Sequence, residues 1–92
     1  MNAKSGFHRY KRKRDANEGE IVKALIARGF EVKVMDEPCD LLIYAPQSGR
    51  SFIGEVKMPD GELSKAQRLF WPTWNGEKYI LVTVEHVDAI PL

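Results

Sequence analysis

A chain of 92 residues with 43% apolar content is an ordinary length and composition for one globular domain. A lone cysteine, Cys39, excludes a disulfide framework and a cysteine-built zinc site, and favours a reducing, cytoplasmic setting. No run approaches the roughly 20 apolar residues of a membrane span, the first residues hold no apolar signal core, and a net charge of +1 conceals a cationic start on an acidic body.

Residues 1–14 read as a basic N-terminal arm. They hold Lys4, Arg9, Lys11, Arg12, Lys13 and Arg14 and no acid, with His8 and Tyr10 interleaved. The rest of the chain carries eight Lys or Arg against thirteen Asp or Glu. A cationic arm of this kind suits a polyanion, with backbone contacts from the bases and stacking from the rings. The body, residues 15–92, then divides into elements. Asp15-Ala16-Asn17 starts a helix, and either polar residue is able to cap it. Ile21, Val22, Leu25 and Ile26 give that helix one apolar face, and Gly29 stops it after Arg28. Phe30, Val32 and Val34 alternate with Glu31 and Lys33, the pattern of a strand with one wet face. Asp36-Glu37-Pro38 turns the chain. Residues 40–45 form a second strand, 46–50 a hairpin connection and 51–58 a third strand. Ser64 caps a second helix from Lys65 to about Trp74, which Pro72 should kink or shorten. Tyr79 to Val84 is a fourth strand, and one last helical turn is expected over 85–90.

The chemistry concentrates in Glu55-Val56-Lys57. Glu55 and Lys57 share one face of an otherwise apolar strand, a costly placement unless both have partners. A surface ion pair on an edge strand is the plain alternative, but Phe52, Ile53 and Val56 argue against an exposed edge. Asp40 opens the preceding strand, so hairpin pairing brings it beside Glu55. Two acids with the Val56 carbonyl offer hard oxygen ligands of the kind magnesium prefers, and Lys57 stands near enough to orient an attacking water. In the first helix, at about 100° per residue, Glu18 projects with the apolar face and reaches toward the sheet, whereas Glu20 faces solvent. Gln67 lies one turn into the second helix and offers an amide for water or a phosphate oxygen. Lys65 and Arg68 flank it and suit a nucleic-acid backbone. Trp71 and Trp74 read as core or dimer contacts.

Taken together, Glu18, Asp40, Glu55-Val56-Lys57 and Gln67 resemble the PD-(D/E)xK nuclease superfamily, and in particular its virus-type replication-repair nucleases, the VRR-Nuc domains. Cys39-Asp40-Leu41-Leu42-Ile43, Gly54-Glu55-Val56-Lys57 and Leu63-Ser64-Lys65-Ala66-Gln67 are similar to that family's Pro-Asp, Glu-x-Lys and Leu-Ser/Thr-x-x-Gln blocks. The segment from Glu18 to Phe30 also resembles the first helix of archaeal Holliday junction resolvases, whose helix glutamate falls at Glu18. One departure is Cys39, which stands where the family usually has proline. The resemblance spans about residues 15–84. It implies an α/β fold with an αβββαβ, restriction-endonuclease-like core, a mixed central sheet flanked by helices. It implies a magnesium- or manganese-dependent endonuclease of replication and repair, with Glu18, Asp40, Glu55 and the Val56 carbonyl at the metal, Lys57 at the water and Gln67 in support. It further implies branched DNA such as a four-way junction as partner, and a homodimer. By their charge Arg9, Lys11, Arg12, Lys13, Arg14, Lys65 and Arg68 are expected to touch that DNA, and a cytoplasmic location is expected (that of the host for a phage-encoded chain). The competing expectations are a non-catalytic nucleic-acid-binding module of the same fold, and a small subunit whose function is its dimer surface.

Overall fold

The computed structural model describes residues 15–92. The basic arm, and with it the expected contacts of Arg9, Lys11, Arg12, Lys13 and Arg14, lies outside the described residues. The elements follow the order α1 (Glu18–Ala27), β1 (Glu31–Val34), β2 (Leu41–Ala45), β3 (Arg50–Val56), α2 (Lys65–Phe70), a 3-10 turn (Trp71–Thr73), β4 (Lys78–Leu81) and α3 (Val84–Asp88). The four strands make one mixed sheet in the order β1-β2-β3-β4. The first two pairings are antiparallel and the β3–β4 pairing is parallel.

Hydrophobic spacing explains which face is covered. In β2, Leu41, Ile43 and Ala45 are buried and Leu42 and Tyr44 point out, the period-two pattern of a strand with one packed face. Ile43 pairs with Phe52, so Phe52, Gly54 and Val56 of β3 join that face. Ile21 and Leu25 of α1 and Val87 and Ile90 at α3 close over it to make the core. Gly54 leaves room there for the Ile43 and Leu81 methyl groups, which would stand a tight 3.3 Å from a Cβ at this position. On the opposite face, α2 lies over Glu55. Covered on both sides, β3 is buried from Phe52 through Val56, which is why its sequence is nearly continuous in apolar character. Helix α1 ends as its glycine requires: Gly29 adopts φ +96°, a left-handed conformation that an L side chain rarely takes.

Several boundaries differ from the sequence-based expectation, each for a physical reason. The β1 strand alternates in sequence, yet Val34 is exposed, because β1 is an edge strand that α1 covers only in part. The second helix is α-helical only to Phe70 and then tightens into the 3-10 turn that contains Pro72, whose missing N–H cannot continue the ladder. The Lys78 ammonium donates to the Trp71 and Trp74 carbonyls at 2.6 and 2.8 Å, holding the end of that segment. Trp71 is half-buried beneath this ammonium, while Trp74 stacks on Phe70 at the surface. The β4 strand stops at Leu81, because the backbone amides of Val82 and Thr83 both point to His86 Nδ1 at the start of α3.

At the end of the sheet away from the acids, Arg50 grips Glu77 through two hydrogen bonds of 2.9 Å and donates to the Pro91 carbonyl. The Tyr79 hydroxyl also donates to Glu77. The Arg50 hydrogen bonds hold the Glu77 carboxyl below the usual carboxylate range, against the opposing effect of partial burial, and the Tyr79 hydroxyl adds to the lowering. A depressed carboxylate stabilises the fold above its unfolded-state value, and that contribution fades as pH falls through the folded value. The melting temperature of the wild type should therefore fall more steeply than that of Glu77→Gln on acidification below the ordinary glutamate value. Parallel curves in a pH series of thermal melts would remove the pair from the stability account. Each side chain is 29% exposed, so solvent screening keeps the effect small.

Candidate active site

The acids gather where β2 begins and β3 ends. Leu41 pairs with Gly54, and one step further Asp40 stands beside Glu55. Here the chain before β2 has turned away, and the Met35 amide donates to the Asp40 carbonyl at 2.7 Å. The Val56 N–H faces the gap that this turn leaves. The Asp40 carboxylate fills it, accepting from Val56 N–H at 2.9 Å through Oδ2. A strand residue directs its N–H and C=O to the same side, so the Val56 carbonyl faces the Asp40 side as well. Asp40 is 7% exposed and Glu55 is fully buried.

Glu55 projects from the other face of β3 than Val56. There Gln67 Nε2 donates to Glu55 Oε1 at 3.0 Å. Gln67 is itself fixed, since its Oε1 accepts from Ser64 N–H at 2.8 Å and its own N–H donates to the Ser64 hydroxyl. This capping box locks the first turn of α2. Gln67 thus orients a carboxylate, whereas the sequence suggested an amide for water or phosphate. Lys57 follows the end of β3 and is half-buried. Its backbone N–H donates to Leu81 O at 3.1 Å, and its ammonium forms no ion pair among the described residues. Lys65 and Arg68 are exposed on α2, and Arg68 donates to the Leu63 carbonyl.

Helix α1 enters the same region. Glu18 is buried and Glu20 exposed, as the helical spacing requires. The residue that ties α1 to the site is Asn17, which the sequence marks only as a possible cap. It occupies the N-cap position without making a side-chain cap hydrogen bond. Its amide instead donates to Lys57 O at 3.0 Å and Val82 O at 2.8 Å. Nothing local signals those bonds, which link positions 40 and 65 residues apart.

Among the described residues, no three His, Cys, Asp or Glu side chains form a ready-made metal cluster. Magnesium does not need one. It is commonly held by one or two carboxylates, with waters and substrate phosphates completing its shell. Buried Asp40 and Glu55, with the Val56 carbonyl beside Asp40, supply the hard oxygen donors that such an ion takes, so the residues present fit it.

An αβββαβ core on a mixed four-stranded sheet flanked by helices is the restriction-endonuclease-like class of α/β folds. Within that class the chain has the VRR-Nuc fold: it superposes on a solved structure described as a VRR_NUC domain with a TM-score of 0.65, over 80% of this chain and 92% of that one, at 20% sequence identity. No protein-family model and no curated protein matches the sequence.

Proposed function

We propose that this chain is a magnesium- or manganese-dependent endonuclease that hydrolyses phosphodiester bonds in branched DNA. It acts as a cytoplasmic homodimer in DNA replication and repair. The observation that carries this reading is the strand end where Asp40 bonds the Val56 amide and Gln67 bonds Glu55, with Lys57 the next residue after Val56. Asp40, Glu55, Glu18 and the Val56 carbonyl hold the ion, which when bound supplies charge neutralisation at the scissile phosphate. Lys57 orients the attacking water. Gln67 keeps Glu55 in place. Lys65 and Arg68 contact the DNA backbone, joined by Arg9, Lys11, Arg12, Lys13 and Arg14 of the arm. Exposed Leu42, Tyr44 and Ile80 on the α2 side of the sheet support a second copy, since a domain this small buries a modest fraction of its own surface. Two copies would set two sites against two strands. Among the described residues no helix is long and apolar enough to cross a membrane.

The alternative is a nucleic-acid-binding module of the same fold that does not cut. One experiment separates the two. Labelled four-way junctions, flaps, forks and plain duplex are incubated with the protein in magnesium or manganese, and the solution mass is measured alongside. Cutting of the branched substrates is expected, with Glu18→Gln slowed by about 10- to 100-fold and Glu20→Gln unchanged. Tight binding with no product from any substrate would replace the endonuclease with the binding module.

A further inference from the structure

We propose that Asn17 is a positioning residue of this site, holding Glu18 and Lys57 in one geometry through a single amide. The inference rests on the endonuclease reading and extends it to a residue that touches no substrate.

The argument begins with the β3–β4 ladder. In a parallel pair, a residue donates to the carbonyl before its partner and accepts from the amide after it. Lys57 N–H donates to Leu81 O, which makes Val82 its partner. The next rung would run from Thr83 N–H to Lys57 O. It is not made, because Thr83 N–H points to His86 Nδ1 instead. Asn17 Nδ2 takes its place, donating to Lys57 O at 3.0 Å and to Val82 O at 2.8 Å. One amide therefore closes the sheet at the point where β3 and β4 part. Both of its hydrogens are used, which leaves the Asn17 side chain a single orientation.

Two consequences follow for the site. The Lys57 backbone is held at both its polar groups, the N–H by Leu81 and the carbonyl by Asn17, so the direction in which its side chain leaves the strand is set. The next residue in the chain after Asn17 is Glu18, the buried first residue of α1. The same two bonds thus anchor the helix start that delivers this carboxylate. A side chain serving only as a helix cap would bond the amides of its own first turn, and Asn17 makes no such bond.

The test compares Asn17→Asp, which keeps the size and loses both donors, with Asn17→Ala. Each is assayed below its own melting temperature. The expected result is a kcat for junction cleavage lower by about 10- to 100-fold, with KM for the junction changed by less than about twofold. Calorimetry without DNA should show manganese affinity weakened by about fivefold or more. Should Asn17→Ala fail to fold, Asn17→Ser, whose hydroxyl keeps one donor, carries the same comparison. A lowered melting temperature with wild-type kcat and wild-type manganese affinity would overturn the inference and leave the endonuclease standing. A wild-type protein that neither cuts branched DNA nor binds manganese would overturn the endonuclease first, and this role with it.

Discussion

Lys57→Ala is expected to remove cleavage of branched DNA while leaving its binding nearly intact. Lys57 directly follows Val56 at the end of β3, and its ammonium forms no ion pair among the described residues, so it is available for a water or a phosphate oxygen. A positioned group that orients or polarises a reacting water contributes about 10²- to 10⁴-fold in rate. Binding depends on many phosphate contacts, of which this ammonium is one at most. Lys57→Ala should also fold normally, because the backbone bonds at this position do not involve the side chain. Single-turnover cleavage in magnesium and gel shifts in calcium check the two halves separately. Cleavage at the wild-type rate would take Lys57 out of the chemistry and undermine the assignment of the whole site. Equal loss of binding and cleavage would recast it as a DNA contact.

Phe52→Ala is expected to cost about 3–5 kcal/mol of stability. Phe52 is 1% exposed and central to the core. Its ring meets Phe30 edge-on at 5.8 Å and Tyr79 at 5.4 Å, while the Arg50 guanidinium sits 5.2 Å above it. Truncation leaves a cavity between β3 and the helices, and it removes two ring pairs of about 0.5–1.5 kcal/mol each within that total. Small domains hold only about 5–15 kcal/mol in all, so much of the variant would unfold under mild denaturant. Leu69→Ala is the control. Leu69 is 67% exposed on α2, and a change of about 0.5 kcal/mol or less is expected. Urea melts of the three proteins decide the matter. A Phe52→Ala loss no larger than that of the control would contradict the core described above.

Much of this architecture is legible in the residues alone, and the reason is periodicity. Ile21 and Leu25 recur at helical spacing, and both are buried. Leu41, Ile43 and Ala45 alternate with Leu42 and Tyr44, and the strand packs on the alternating face. Glu55 was conspicuous as a charge in an apolar run, and Glu18 as an acid on an apolar helix face. Both are buried in the structure. These signals are local, because secondary structure repeats over a few residues and burial follows its repeat.

What local pattern could not supply are the choices made when distant surfaces meet. Asn17 has the same capacity to cap a helix as to reach across a sheet, and only the approach of β3 and β4 selects the second. Gln67 stands out in the sequence as an amide near the site, but only the laying of α2 over Glu55 makes that carboxylate its partner. Arg50 and Glu77 are 27 residues apart and pair only because the two strands run side by side. Val34 alternates as a core residue would, yet stays exposed because the sheet ends at its strand. The amino-acid sequence by itself determined the elements and the residue types brought to the site, since both follow from short-range spacing. The tertiary structure alone decided which hydrogen-bonding groups became partners, because each polar side chain has several equivalent local options and only long-range packing removes all but one.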